Sequence, residues 1–309
     1  MNTHLTTHLD THPRARSAAR SRLGAEQVTV GYGERPVIAD LTFDVPEGQV
    51  TSIIGPNGCG KSTLLRTLAR LLTPSAGTVR LDGGPITAVS TRDIARRLAL
   101  LPQSPAAPEG LLVRDLVGRG RHPHQRWFSQ WSAQDEQVVL AALRMTDTEA
   151  LADRPLDQLS GGQRQRAWIA MTLAQDTDLL LLDEPTTYLD LAHQVEVLDL
   201  VTRLNRERGR TVAMVLHDLN LAARYSDVVV VMKDGAIVAQ GAPARLFTSE
   251  LLASVFGLAA DVVADPRTGL PIVVPISSAV RGPAAPVGQE TAGGTVSGSP
   301  STAAASCGT

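Results

Sequence analysis

The fold of this chain is decided by the stretch Gly55-Pro56-Asn57-Gly58-Cys59-Gly60-Lys61-Ser62-Thr63. It matches the pattern G-x-x-x-x-G-K-[ST], in which glycines let the backbone curl until several N–H groups point at one spot. A helix that starts there adds its partial positive charge, so the stretch predicts a phosphate-binding loop. In such a loop Lys61 reaches the β- and γ-phosphates of a nucleotide, and the Ser62 hydroxyl is a ligand of Mg²⁺.

The residues on either side of the loop provide the context that it needs. Residues 50–54 form a short β-branched run that is typical of a buried strand. After the loop comes a helical pattern with one apolar face, formed by Leu64, Leu65, Leu68, Leu71 and Leu72. The alternative is a chance glycine-rich turn, which would not be expected between a strand and a helix.

Two acidic residues follow the apolar run Leu179–Leu182. A buried strand delivers such groups to the carboxyl edge of a sheet, where nucleotides bind in open α/β folds. We expect Asp183 to help hold Mg²⁺ and Glu184 to act as the general base that orients and polarises the attacking water. The alternative is a strand that simply ends in solvated acids.

The rest of the chain alternates between strand-like and helical patterns. Strand-like runs cover residues 28–30, 41–45, 98–101, 211–216 and 228–232, and a turn at Asp234-Gly235 leads into one more. This alternation predicts an α/β core with a largely parallel sheet. Residues from about 104 to 160 lose the strand pattern and indicate a helical insert, with one helix from the cap at Ser132 through Met145.

Composition excludes several classes of protein. The net charge is −2 and only 3% of the residues are aromatic, so we expect no nucleic-acid binding. The two cysteines lie in the phosphate loop and near the end of the chain, and this favours a reducing compartment. No apolar run has the length of a membrane span, so a role at a membrane would need another chain to supply the spans.

The most discriminating motif is Leu159-Ser160-Gly161-Gly162-Gln163, which opens a helix and makes a second anion-binding helix start. Here the chain resembles the ATP-binding cassette ATPases, whose defining motif is L-S-G-G-Q. The resemblance implies a P-loop NTPase (RecA-like) core with an antiparallel β subdomain and a helical insert subdomain. It also implies ATP and Mg²⁺ as cofactors.

The resemblance gives roles to four more residues. Tyr32 looks like the aromatic residue that stacks on adenine, and His217 looks like the switch histidine that contacts the γ-phosphate. Gln103 looks like the glutamine that touches Mg²⁺ and water and sits where the membrane subunit docks. Asp190 looks like the aspartate of the dimer-contact loop. Tyr32 and Gln103 could otherwise be ordinary surface residues, and His217 alone would be structural more often than catalytic.

In this family two chains pack head to tail, so the resemblance also predicts partners. Ser160, Gly161 and Gly162 of one copy would cover the γ-phosphate that Lys61 of the other copy holds. ATP would then join the dimer and hydrolysis would release it. The implied assembly adds integral membrane permease subunits and, indirectly, a substrate-binding protein. The chain itself would lie at the cytoplasmic face of the cell membrane as a peripheral subunit.

Three further segments, residues 118–123, 186–194 and 216–225, resemble importer ATPases for ferric siderophores, with the ferric-enterobactin type nearest. The alternatives are import of cobalamin, haem or another metal complex, a soluble cassette ATPase without a transport role, and a nucleotide-binding regulator without turnover. The resemblance covers about residues 25–276, with the helical subdomain at about 104–165. The polar N-terminal segment 1–24 and the Gly-, Ala- and Ser-rich segment 277–309 are predicted to be disordered tails.

Overall fold

The computed structural model describes residues 21–33, 35–125 and 131–276 of the chain. The two predicted tails lie outside the described residues, apart from residues 21–24. These four residues already belong to the first strand, so the folded part begins earlier than the predicted boundary. The reason is Leu23, whose buried side chain lies on a strand that pairs with Val45 on one side and Leu81 on the other.

The described residues contain twelve strands and nine α-helices. The strands are β1 (Ser21–Tyr32), β2 (Arg35–Pro46), β3 (Val50–Ile54), β4 (Ala76–Leu81), β5 (Gly84–Pro85), β6 (Leu98–Leu101), β7 (Leu179–Asp183), β8 (Thr211–Val215), β9 (Val228–Lys233), β10 (Ala236–Gly241), β11 (Ala260–Ala264) and β12 (Pro271–Pro275). The helices are α1 (Lys61–Leu68), α2 (Thr91–Ala95), α3 (Val113–Arg119), α4 (Ala133–Met145), α5 (Gly161–Ala174), α6 (Leu191–Arg208), α7 (Leu219–Tyr225), α8 (Pro243–Leu246) and α9 (Ser249–Phe256). Within these described ranges, no helix combines the length and apolar character needed to cross a membrane.

A central sheet carries the site. Its strand order is β10-β9-β3-β8-β7-β6, with β9 through β6 parallel to one another and β10 antiparallel at the edge. Every residue of β3, β7 and β8 is buried, as expected for parallel strands with both faces covered. Because these strands run in one direction, the segments that follow β3, β6, β7 and β8 all leave from the same edge.

The second sheet is antiparallel, in the order β2-β1-β4-β5. Its apolar side chains share one core cluster with α1 and with one face of the central sheet, including Phe43, Leu64 and Ile53. Helices α3 to α6 share the other large cluster with the opposite face of the central sheet. Helix α1 is therefore buried between the two sheets, which fixes the direction of the phosphate loop at its start.

The helical part is built from α3, α4 and α5. The predicted helix from Ser132 to Met145 is confirmed, since Ser132 caps α4 in a capping box with Asp135. Asp135 also forms a buried ion pair with Arg121, 2.9 Å from its Nε, and Arg121 donates to the carbonyl of Ala174. The predicted end of this part near residue 165 falls inside α5, which continues without interruption to Ala174.

Two details differ from the sequence predictions. Leu71 was expected on the buried face of the first helix, but it is 64% exposed because α1 ends at Leu68 and the chain reverses at Arg70, where φ is +58°. Strand β11 was not predicted. It pairs with β12, whose Val273 exchanges two hydrogen bonds with the side chain of Asn220 on α7. The predicted α/β class, with its parallel core, antiparallel β sheet and helical insert, is confirmed.

Candidate nucleotide-binding site

The predicted phosphate loop joins β3 to α1, and its glycines have a steric role. A Cβ at Gly55 would lie 2.1 Å from the carbonyl oxygen of Met232, and φ at Gly55 is +154°. Gly60 caps α1 in the left-handed conformation, with φ of +103°. No other residue type adopts this loop without strain, so the sequence dictates a curled backbone at the N-terminus of a buried helix.

Lys61 begins the helix and turns its side chain back over the loop. Its ammonium nitrogen donates to the carbonyl oxygens of Gly55 at 2.8 Å and Pro56 at 2.9 Å. Only 6% of the residue is exposed. A buried ammonium held by two neutral carbonyls is poorly compensated, which suits a group that binds an anion.

Ser62 and Asp183 meet beside the loop. The Ser62 hydroxyl donates to Oδ1 of Asp183 at 2.8 Å, and Asp183 is only 1% exposed. Its second oxygen, Oδ2, is buried without a hydrogen-bond partner among the described residues. Burial raises the pKa of Asp183, and the charge of Glu184 adds to this effect. A hydroxyl and a carboxylate with a free oxygen are donors that fit a hard cation such as Mg²⁺.

Glu184 follows β7 directly and is buried, with φ of +56°. Its Oε1 lies 2.6 Å from Nε2 of His217, and its Oε2 accepts a hydrogen bond of 3.1 Å from the Thr187 hydroxyl. Burial raises the pKa of Glu184, but the hydrogen bond and charge of His217, with the hydrogen bond from Thr187, outweigh burial and leave the pKa below its ordinary value. Glu184 is therefore ionised at neutral pH, as a general base must be.

Lys61, Ser62 and Glu184 line one cavity of about 590 Å³, whereas Asp183 lies behind Ser62 and does not line it. The lining combines residues of the loop with Glu184 and an aromatic residue: Tyr32, Val37, Asn57, Gly58, Gly60, Lys61, Ser62, Thr63, Gln103, Glu184 and His217. Tyr32 lines the cavity and is 55% exposed. Gly55, Pro56 and Cys59 form the loop without lining the cavity, and burial raises the pKa of the Cys59 thiol. The described part of the chain contains no cluster of three or more His, Cys, Asp or Glu side chains that could hold a metal.

The remaining predicted residues lie outside this cavity. Ser160 caps α5, where its hydroxyl accepts from the backbone N–H of Gln163 and the Gln163 side chain accepts from the backbone N–H of Ser160. A Cβ at Gly161 would lie 3.6 Å from Cβ of Tyr188, and one at Gly162 would lie 3.2 Å from Leu189. The start of α5 therefore packs beside the segment that leads to Asp190.

Asp190 caps α6 and is exposed. Its Oδ1 accepts from the backbone N–H of His193 at 3.0 Å and lies 2.7 Å from Nδ1 of the same residue. The backbone hydrogen bond from His193 is the largest cause that holds the pKa of Asp190 below its ordinary value. Neither Asp190 nor the Ser160–Gln163 turn lines the cavity at the phosphate loop, so the predicted residues fall into two groups, one at the cavity and one outside its lining.

Sequence reasoning missed two residues of the site. Val37 lines the cavity from β2, and nothing in its local pattern marks it. Thr187 donates a hydrogen bond to Glu184. A hydroxyl residue three positions after an acidic residue is a weak signal, because its direction depends on the turn between them.

Comparison with known proteins gives a consistent result. A family model described as "ABC transporter" matches residues 38–187. The ferric enterobactin transport ATP-binding protein of Escherichia coli (strain K12) is 52% identical over 256 residues, which cover 83% of this chain and 94% of that protein. The achromobactin transport ATP-binding protein of Dickeya dadantii (strain 3937) is 55% identical over 251 residues, 81% of this chain and 93% of that protein.

A solved structure is also similar to this chain. It is the dimeric, post-hydrolysis state of an ATP-binding cassette bound to ADP and Pi, with a TM-score of 0.64 and 28% identity. The match covers 71% of this chain and 98% of the other.

Proposed function

This chain belongs to the ABC transporter family, and we propose that it is the ATP-hydrolysing subunit of an importer for iron(III)–siderophore complexes. Its relatives at 52% and 55% identity are ATP-binding subunits named for ferric enterobactin and achromobactin transport. The family binds ATP, and the similar cassette bound to ADP and Pi is a dimer. The single observation that carries the hydrolytic role is the Glu184–His217 pair, 2.6 Å apart and facing the cavity of the phosphate loop.

We assign the phosphates of ATP to the loop from Gly55 to Thr63. The backbone N–H groups at the start of α1 would donate hydrogen bonds to the β-phosphate, and Lys61 would exchange its two carbonyl partners for phosphate oxygens. Tyr32 would stack on the adenine. The exposure of its ring supports this role.

Ser62, Asp183 and Gln103 would hold Mg²⁺, with Asp183 contributing directly or through a bound water. When bound, this ion neutralises the charge that develops on the β- and γ-phosphates. The unpartnered Oδ2 of Asp183 supports its place in the set.

Glu184 would orient the attacking water and take up its proton. The charged state of its carboxylate and its position at the edge of the cavity support this role. His217 would move its hydrogen bond from Glu184 to the γ-phosphate when ATP binds. That exchange would free one carboxylate oxygen for the water at the moment when the substrate is in place.

The second group of residues would act on the ATP of another copy. Ser160, Gly161, Gly162 and Gln163 would cover the γ-phosphate held by the partner, and Asp190 would contact the partner across the interface. Their position outside the cavity of their own chain supports this assignment. A single chain would therefore supply only half of each ATP site. Turnover would require the head-to-tail dimer, in which the second copy supplies the other half.

The assembly would include permease subunits and, through them, a substrate-binding protein. The transport-system names of the relatives support membrane association, which we place at the cytoplasmic face of the membrane. The cassette would correspond to residues 25–276, preceded here by the first residues of β1, with its helical subdomain at about 104–165.

The Glu184→Gln variant tests this proposal. We expect its hydrolysis to fall by about 10²- to 10⁴-fold, the usual contribution of a general base, while ATP still binds and dimers accumulate. Phosphate release, nucleotide binding and light scattering measure the three properties. A strain without the gene should lose iron–siderophore uptake and regain it with the wild-type chain but not with Glu184→Gln. Persistent turnover by Glu184→Gln would exclude Glu184 as the base, and restored cobalamin or haem uptake alone would exclude the siderophore assignment.

A further inference from the structure

Both oxygens of the Glu184 carboxylate are held, and the donors come from different elements. His217, which follows β8, lies 2.6 Å from Oε1. Thr187, in the turn after β7, donates from its hydroxyl to Oε2 at 3.1 Å. Its backbone N–H also donates to the carbonyl of Glu184 at 3.3 Å, which closes the turn. The carboxylate is thus fixed in direction as well as in position.

The donors to Glu184 differ in what they face. His217 lines the nucleotide cavity, and its side chain is 47% exposed. It would turn to the γ-phosphate when ATP binds. Thr187 does not line the cavity. Its hydroxyl would therefore stay on Glu184 when His217 leaves.

We propose that Thr187 is a positioning residue for ATP hydrolysis: its hydroxyl holds Oε2 of Glu184 so that Oε1 points at the attacking water. The inference rests on the proposed role of Glu184 as the base. It goes beyond that role because it assigns the orientation of the base to a residue that touches neither the nucleotide nor the water. Glu184 needs this support, since it follows directly after the strand in a left-handed conformation, with φ of +56°.

The full-length Thr187→Val variant, which keeps the shape of the side chain and removes the hydroxyl, tests the proposal. We expect kcat to fall by about 10- to 100-fold, the range that follows from misplacing a catalytic group by about 1 Å. KM and the affinity for ATP should stay within about twofold, because the phosphate loop is untouched. Thr187→Ser restores the hydroxyl and should recover most of the lost kcat.

The neighbouring residue offers a matched control. Thr186 has the same side chain in the same turn, and within the described residues its hydroxyl makes no hydrogen bond to Glu184. Thr186→Val should therefore keep the wild-type kcat. An equal loss in Thr186→Val, or no rescue by Thr187→Ser, would show a general effect on the turn and overturn the proposal.

The Glu184→Gln variant, measured in parallel, distinguishes a failure of the role of Glu184 from a failure of the role of Thr187. If Glu184→Gln retains turnover, the proposed function of Glu184 itself fails. If Glu184→Gln is inactive while Thr187→Val turns over at the wild-type rate, Glu184 stands and the positioning role of Thr187 fails. The double variant should have the residual rate of Glu184→Gln alone, because a positioning residue has nothing left to position.

Discussion

The glycines of the phosphate loop differ in how much space surrounds them: a Cβ at Gly58 would meet nothing within 4 Å, whereas one at Gly55 would collide with the main chain. Gly55 is the strictest case, because the space of its missing Cβ is occupied by a main-chain carbonyl of β9 and not by a flexible side chain. The loop is thereby pressed against the central sheet, and its N–H groups are aimed before any ligand arrives. Such preorganisation lowers the cost of binding.

Gly55→Ala should therefore lower stability as well as ATP affinity. We expect a loss of about 2–3 kcal/mol in the free energy of unfolding, the upper range for overpacking. Gly241→Ala is the matched control, since a Cβ there meets nothing within 4 Å, and it should be neutral. Thermal melts of both variants, with and without ATP, measure the difference. Equal melting temperatures for Gly55→Ala and wild type would contradict the close contact with Met232.

Part of the site was predictable from single residues and part was not. Lys61, Ser62, Asp183 and Glu184 follow from local patterns, because a glycine-rich turn and a buried strand each dictate where the next side chain goes. The bond from Thr187 to Glu184 does not, since it depends on the positive φ that Glu184 adopts after the strand. Local patterns carry no signal for such a conformation in a glutamate.

At the scale of elements, the helical part is joined by one buried ion pair. Arg121, just after α3, and Asp135 in α4 are 5% and 7% exposed, and Arg121 also binds the carbonyl of Ala174 at the end of α5. The pair thus connects three helices. Burial raises the pKa of Asp135, but hydrogen bonds from Ser132 and Arg121 outweigh burial and leave the pKa below its ordinary value.

Asp135→Asn should destabilise the chain by about 3–5 kcal/mol, because it leaves Arg121 buried without a counter-charge. Since the folded pKa of Asp135 is depressed, its stabilising effect is full above the ordinary value of 3.8 and is lost as the pH falls through the folded pKa. The two unfolding curves should therefore converge in strong acid. Urea titrations across pH measure this convergence.

Asp147→Asn is the control for this prediction. Asp147 also faces an arginine, Arg166, but at 3.6 Å and with its side chain 96% exposed. Its loss should cost less than about 0.5 kcal/mol. If the two variants lose the same stability, burial is not what gives the Arg121–Asp135 pair its effect.

Elements were predictable where a run of apolar residues or a helix cap marked them. The central strands have the apolar run, and α4 has the cap at Ser132. Strand β11 has neither, because its stability comes from pairing with β12 and from the packing of β12 on α7. A two-stranded hairpin has too little local signal to be found without its tertiary partner.

At the scale of the whole molecule, the described chain holds one complete phosphate loop and, apart from it, one Ser160–Gln163 turn that does not line the cavity at that loop. Sequence order predicts both motifs. The helical insert between them also predicts that the turn is held away from the ATP of its own chain, and the packing of α3 and α4 against α5 is what holds it. The separation is what makes a second copy necessary in the proposed mechanism.

The last prediction concerns which residues the cassette requires. A chain of residues 21–276 should keep ATP hydrolysis within about twofold of the full-length rate, since it contains every residue assigned to the site. A chain of residues 25–276 should melt at a lower temperature, because it loses Leu23 from the core and the ion pairs of Arg22 with Asp82 and Asp178. Removal of a buried leucine side chain alone costs about 2–5 kcal/mol. Melting temperature and phosphate release are measured on the full-length chain and on the two truncated chains. A large loss of activity in residues 21–276 would show that the terminal segments act in catalysis. Equal melting temperatures of the two truncated chains would show that the start of β1 does not stabilise the fold.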